Sequence, residues 1–139
     1  MGAHAGRLRF STAGGGEVVD LTEGVASIVA QAEVQTGVAV VFGVGATVAV
    51  TTMEYEPGAV IDLRVALERL LPAGDDYEHD RLNADVNGHS HLRAALIGPS
   101  ETLPIAGGRL VLGTWQQVVF LDLDARARDR TVQVTVVGD

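Results

Sequence analysis

Apolar positions along this chain switch between the spacing of a helix and the alternation of a strand. Four apolar residues from Val25 to Ala32 follow the i, i+3, i+4, i+7 spacing that gives a helix one buried face, which predicts a helix over residues 23–36. Near the end of the chain, valines alternate with polar residues over 131–136, the pattern of a half-buried strand. The presence of both periods predicts an α+β fold.

Two further helices are predicted in the middle of the chain. The second follows Pro57-Gly58, ends at Pro72, and has an apolar face formed by Ile61, Val65, Leu67, Leu70 and Leu71. A third, short helix begins with Ser90 as its N-cap and stops at Gly98-Pro99. Residues 73–88 between these two helices are polar and acidic, and we expect an irregular loop there.

Runs of β-branched and apolar residues predict a mostly antiparallel, sandwich-like sheet. The predicted strands are residues 7–12, 17–21, 38–42, 47–52, 102–105, 110–115, 117–123 and 131–136. The first two are expected to pair as a hairpin around Gly14-Gly15-Gly16, and the third and fourth to be central strands. With two to three helices and no internal repeat, residues 1–139 are predicted to form a single domain.

Composition and charge exclude several classes of function. Ten basic and 18 acidic residues give a net charge of −8, so nucleic acid and anionic membranes are not expected as partners. The chain has no cysteine and no lysine, which excludes disulfides, thiolate ligands, cysteine nucleophiles and Schiff-base chemistry. It shows neither a signal peptide nor an apolar segment long enough to span a membrane, so a cytoplasmic protein is expected.

Three of the four histidines, His79, His89 and His91, fall within thirteen residues. Neutral imidazole is the commonest zinc ligand, and three protein ligands with an open position are typical of catalytic zinc. If Ser90 is the N-cap, His89 precedes the third helix and His91 opens it, a placement from which the two rings can converge. A metal site is therefore one hypothesis, and rings that cap backbone or lie in water are the other.

Other catalytic arrangements have little support. Neither glycine-rich segment continues into the Gly-Lys-Ser/Thr of a phosphate loop, and no serine lies in a nucleophile elbow. Asp80 and Glu101 are interpreted as solvated charges, whereas Glu54 stays open as a metal ligand or a partner of histidine. Trp115, the only tryptophan, is interpreted as a core anchor rather than a substrate platform.

Five segments, taken together, resemble a known family. They are residues 77–80, 87–100, 103–105, 108–117 and 122–130, of which Leu-Gly-Thr-Trp-Gln at 112–116 is the most specific. They resemble the YjbQ-like family, described as secondary thiamine-phosphate synthases, over essentially the whole chain. The resemblance implies a compact α+β sandwich that assembles as a homotrimer and has a polar, histidine-lined cleft for a metal.

The resemblance also implies a metal site, with two departures. Where the family has a histidine and an asparagine, this chain has Gly45 and Met53, while Glu54 is retained. The expected ligands of a divalent metal, zinc or alternatively magnesium, are then the histidines at 79, 89 and 91. His79, His91 and Glu54 are expected to be catalytic, with Glu54 as general base or fourth ligand.

The residues expected to bind substrate are Arg93, Arg109, Thr114, Trp115 and Gln116. Arg93 or Arg109 is expected to neutralise an anionic substrate, because the net negative charge of the chain would otherwise repel it.

Three functions remain open for such a site. A thiamine-phosphate synthase joins a thiazole nitrogen to a hydroxymethylpyrimidine and displaces pyrophosphate, normally with magnesium on oxygen ligands. Imidazoles prefer zinc or another late first-row metal, so a metal-dependent hydrolase is a second hypothesis. A trimeric metal- or small-molecule-binding protein without turnover is the third.

Overall fold

The computed structural model describes residues 1–139 and contains eight strands and four helices. In chain order these elements are β1 (Gly2–Thr12), β2 (Glu17–Asp20), α1 (Thr22–Ala32), β3 (Thr36–Gly43), β4 (Val48–Met53), α2 (Pro57–Leu70), α3 (Glu78–Leu82), α4 (Gly88–Ile97), β5 (Ser100–Ala106), β6 (Arg109–Leu110), β7 (Gln117–Asp122) and β8 (Arg128–Gly138). The predicted α+β class is confirmed. There is one helix more than expected, because α3 occupies part of the predicted irregular loop.

The strands form two antiparallel sheets, with strand orders β1-β8-β3-β5-β6 and β2-β7-β4. The predicted hairpin is wrong, because β1 pairs with β8 in the larger sheet and β2 pairs with β7 in the smaller one. The glycines Gly14–16, all at positive φ, carry the chain from one sheet to the other. Backbone N–H groups of Gly15 and Gly16 donate to the carbonyls of Asp124 and Asp122 at 2.6 and 2.8 Å, which fixes this turn on the end of β7.

The smaller sheet lies at the centre of the molecule, and both of its faces are buried. Val118 and Phe120 of β7 belong to the main core, which also contains apolar residues of α1 and the larger sheet. Val119 and Leu121 point the other way, into a second cluster with residues of α2 and α4. Covering on both faces explains why β7 is a continuous apolar run, whereas β8, with one buried face, alternates.

Two predicted elements have different bounds or positions in the structure. Helix α1 ends at Ala32, because Glu33 adopts a left-handed conformation with φ of 55°, so β3 begins before Gly37 instead of after it. Of the two strands predicted to be central, β3 has neighbours on both sides, whereas β4 is an edge strand of the smaller sheet. One edge of β4 is therefore unpaired, and each end of the strand borders a cavity described below.

The predicted strand over 110–115 is mostly a turn. Strand β6 covers only Arg109–Leu110, and the amide N–H of Gln116 donates to the carbonyl of Gly113 at 3.0 Å. This turn presents Trp115 at the surface. No helix of the protein combines the length and the apolar character needed to cross a membrane.

Candidate functional site

The imidazoles of His79 on α3 and His91 on α4 lie side by side, with ring centroids 4.7 Å apart and planes at 43°. The Nδ1 atom of His79 lies 2.9 Å from Oδ1 of Asp80. Because a carboxylate only accepts, we assign the proton to Nδ1, which leaves the lone pair on Nε2 free. A carboxylate bonded to a histidine in this way is typical of metal-binding imidazoles.

Asp80 links helix α3 to helix α4. The same Oδ1 atom accepts the backbone N–H of Gly88 at 2.9 Å. The hydrogen bond from His79 lowers the pKa of the Asp80 carboxyl, and the bond from Gly88 lowers it further. A Cβ at residue 88 would lie 2.8 Å from Cβ of Tyr77, so only glycine permits this close approach. The interpretation of Asp80 as a solvated charge is therefore wrong.

His89 does not join the histidine pair in this arrangement. Helix α4 begins at Gly88 with Asn87 as its N-cap, and Ser90 is buried inside the helix instead of capping it. His89 and His91 are thus both helical, and residues two apart in a helix point about 200° apart. The argument that the two rings converge from either side of a helix start is wrong for this reason.

The surroundings of His89 favour the neutral form of its ring. Its Nδ1 atom is buried without a hydrogen-bond partner. Burial lowers the pKa of the His89 imidazole, and the positive charge of Arg93 lowers it further. No group of three or more histidine, aspartate or glutamate side chains in the chain has an arrangement that would hold a metal ion. One chain alone therefore presents two oriented imidazoles rather than a complete ligand set.

Glu54 lies at the far end of β4 from the histidine pair. His91 lines a cavity of about 170 Å³ with Gly45, Ala46 and Val48 at the start of β4. Glu54 follows the last residue of this strand, and six residues of extended chain rise roughly 20 Å. Within one chain, Glu54 and His91 therefore do not meet at a common ion.

Glu54 instead shares a cavity with three of the five residues predicted to bind substrate. This open cavity of about 420 Å³ is lined by Thr52, Met53, Glu54, Gly113, Thr114, Trp115 and Gln116. Trp115 is 73% exposed, so its interpretation as a core anchor is wrong. The structure thus brings together four residues of the predicted site, Glu54 with Thr114, Trp115 and Gln116, but away from the histidines.

The two predicted anion-binding arginines lie elsewhere. Arg93 donates from Nε and Nη2 to the carbonyl of Leu71 at 3.0 and 2.8 Å, and from Nη2 to the carboxylate of Glu68 at 2.6 Å. These bonds connect α4 to the end of α2 and leave the side chain only 11% exposed. Arg109 lines a separate cavity of about 430 Å³ beside α1 and makes no ion pair. Neither guanidinium lines a cavity with His91 or Glu54.

A buried charge network behind Gly45 was missed by sequence reasoning. Arg130 donates to Asp122 from Nε at 2.7 Å and from Nη2 at 2.9 Å, and Thr12 donates to the same carboxylate. A Cβ on residue 45 would lie 3.2 Å from Nη1 of this arginine. The alternating acids and arginines of residues 122–130 were the available signal, but they resemble a solvated turn.

The fold is that of a two-sheet α+β protein with a histidine pair between two surface helices. The chain belongs to the family described as UPF0047 protein YjbQ-like, whose model matches residues 6–139. It is 37% identical over 125 residues to a UPF0047 protein of Archaeoglobus fulgidus. The match covers 90% of this chain and 95% of the relative. A UPF0047 protein of Methanothermobacter thermautotrophicus is 35% identical over 88% of this chain and 83% of its own.

Solved structures agree with this assignment. A YbjQ-like protein of unknown function from Sulfolobus solfataricus P2 superposes with a TM-score of 0.94, at 28% identity and 99% coverage of both chains. A hypothetical protein from Aeropyrum pernix K1 superposes with a TM-score of 0.90, at 33% identity over 97% of this chain and 98% of that one. The whole chain is therefore one copy of this fold.

Proposed function

We propose that this chain is a metal-dependent enzyme that acts on a small anionic molecule, with His79 and His91 as ligands of a divalent metal. The observation that carries the proposal is the close approach of these two imidazoles, one of them oriented by Asp80. Nitrogen ligands favour zinc or another late first-row ion over magnesium. Because one chain presents only this pair, substrate, water or a neighbouring subunit supplies the remaining ligands.

The residues around the pair have defined tasks in this proposal. Asp80 holds the proton on Nδ1 of His79, so that Nε2 offers its lone pair. Arg93 and Glu68 hold the middle of α4 against the end of α2, which keeps His91 in place. When bound, the metal supplies Lewis-acid activation of an ester, amide or phosphate, or of a water that attacks it.

Metal content is the direct test of the histidine pair. Protein prepared without a histidine tag is loaded with zinc, freed of excess ion and analysed by mass spectrometry for bound metal. We expect His79→Ala and His91→Ala to lose the metal, and His89→Ala to retain it. His4→Ala, on β1, is the matched control and should retain it too. Full metal content in both His79→Ala and His91→Ala would contradict the proposal, and loss in His89→Ala would favour the three-histidine site.

Two reaction classes follow from the family resemblance and from the ligand chemistry. One is transfer of the thiamine-phosphate synthase type, and the other is metal-dependent hydrolysis. Both are assayed with zinc-loaded protein, by formation of thiamine phosphate and by release of product from phosphate and carboxylate esters. Turnover that His91→Ala abolishes in either assay identifies the reaction class, and turnover unaffected by His91→Ala would separate the reaction from the histidine pair.

We also propose that the chain assembles as a homotrimer. Beyond the family resemblance, support comes from large apolar side chains that a single chain leaves in water: Ile61 is 59%, Leu70 is 72%, Leu82 is 81% and Leu96 is 72% exposed. Both edges of the larger sheet, β1 and β6, are also unpaired. Light scattering should give about three times the chain mass of 14.5 kDa. A monomer mass at micromolar concentration would contradict this assembly.

A binding protein without turnover is the second candidate, and Gly45 favours it. This residue stands where the family has a histidine, and it lines the same cavity as His91. Its φ of 149° is a conformation that other residues rarely adopt, so a side chain at this position would be strained. Metal bound by the histidine pair without turnover in either assay would support this function over the enzyme.

A further inference from the structure

The cavity between the end of β4 and the turn at 113–116 carries one negative charge. Glu54 is its only charged lining residue, and neither a basic side chain nor a histidine lines it. The Glu54 carboxylate makes no ion pair, whereas Glu68 and Glu78, also exposed, each bond an arginine. An unpaired carboxylate in a cavity of a chain with net charge −8 creates a local potential that attracts cations.

Trp115 supplies an aromatic surface in the same cavity as this carboxylate, and the turn that carries it is held in place. The side chain of Gln116 accepts the backbone N–H of Gly113 at 3.1 Å and donates to Oγ1 of Thr52 at 3.1 Å. One residue further on, Gln117 accepts the backbone N–H of Tyr55 at 2.8 Å. The indole therefore stands on a preorganised turn bonded to the end of β4, although most of its surface is in water.

We propose that this cavity binds an organic cation, an ammonium group or a positively charged nitrogen heterocycle, between Trp115 and Glu54. The face of an indole attracts cations more strongly than any other aromatic side chain, and a neighbouring carboxylate adds a full opposite charge. The proposal deepens the proposed function and rests on it only in treating the cavity as a substrate site. Within one chain, roughly 20 Å of β4 separates the cavity from the histidine pair, so one chain holds the cation and the anionic group proposed at the metal in different places.

Trp115 is the only tryptophan, so its fluorescence reports on this cavity alone. Metal-free protein is titrated with choline and with two compounds of the same shape, neutral 3,3-dimethylbutan-1-ol and anionic 3,3-dimethylbutanoate. We expect choline to change the emission saturably, with an affinity roughly tenfold higher than that of the neutral compound. The anion should bind more weakly than either. Equal affinities for the three compounds, or preference for the anion, would overturn the proposal.

Glu54→Gln is the decisive variant, because it removes the charge and keeps both the shape and the fluorophore. Its choline affinity should fall toward that of the neutral compound, with the indole keeping a smaller preference for the cation. Glu23→Gln, an exposed glutamate on α1 outside the cavity, should bind choline as the unchanged protein does. Since the Glu54 carboxylate makes no hydrogen bond, thermal unfolding of Glu54→Gln should match that of the unchanged protein. Acrylamide should quench the Trp115 fluorescence before any ligand is added. Protection from quenching would show that another subunit covers Trp115, which would also overturn the proposal.

The choline titration and the test of the proposed metal site can fail independently of each other. The titration uses metal-free protein, whereas the histidine pair is tested by metal content. Loss of metal in His91→Ala together with no choline binding would leave the metal centre standing and remove the cation site. Choline binding by a protein that retains no zinc would support the cation site and contradict the metal centre.

Discussion

His79 and His91 bring their ring centroids within 4.7 Å although they belong to different helices, and α3, which carries His79, is only five residues long. So short a helix does not hold its own position, because isolated helices of this length are unstable in water. The Asp80 carboxylate, bonded to His79 and to the first amide of α4, supplies the missing connection. The relative position of the two imidazole rings therefore depends on Asp80.

Asp80→Asn should weaken metal binding without removing either imidazole. The amide no longer accepts the Nδ1 proton of His79 as strongly, and loss of such a partner typically lowers metal affinity by about 10- to 100-fold. Zinc affinity is measured by competition with a chromophoric chelator. Asp62→Asn, an exposed residue of α2 without hydrogen bonds, is the control. Unchanged affinity in Asp80→Asn would mean that the His79 orientation does not depend on this carboxylate.

Acid should destabilise the fold in part through His89. Burial first, and then Arg93, lowers the pKa of this imidazole below the 6.5 of an unhindered histidine. The unfolded chain therefore takes up a proton that the folded chain does not, and stability falls as pH drops below about 6.5. Urea unfolding at pH 7, 6 and 5 measures this fall. The fall in stability should be smaller in His89→Gln than in the unchanged protein. An identical pH dependence in His89→Gln would exclude this cause.

Arg130 should be among the most sensitive positions for stability. Its side chain is 10% exposed and forms a two-point bond with Asp122, which is fully buried. Arg130→Gln leaves that carboxylate without its cation, a change that typically costs about 3–5 kcal/mol of unfolding free energy. Chemical denaturation provides the measurement, with Arg69→Gln on the exposed end of α2 as control. Rescue by Arg130→Lys is not expected, because lysine lacks the planar pair of donors. A loss below about 1 kcal/mol, the scale of an exposed pair, would contradict this role.

Local patterns predicted the elements whose formation depends on nearby residues. The apolar spacing of α1 and the alternation of β8 both appear in the structure, because each element buries a single face. The hairpin of β1 and β2 failed because its turn glycines specify a reversal of the chain without specifying a partner strand. Partner choice is decided by contacts more than a hundred residues away, as in β1 with β8.

The candidate site was predicted in its residue types more than in its geometry. Asn87 and Ser90 are both good N-caps, and the helix starts at the first of them because Gly88 allows α4 to approach Tyr77. That shift of one turn decides whether His89 and His91 face the same way. Likewise, no local feature of the sequence indicates that Glu54 lies far from the histidines. Their separation follows from the extended course of β4.

Strand β4 also bears on how this protein can diversify. The histidine cavity and the Trp115 cavity lie at its opposite ends, and substitutions this far apart generally act additively. A change of side chain at Gly45 can therefore alter one end while the ligand preference set by Glu54 is inherited intact. The proposed metal chemistry at one end and the proposed cation recognition at the other can therefore change in separate evolutionary steps.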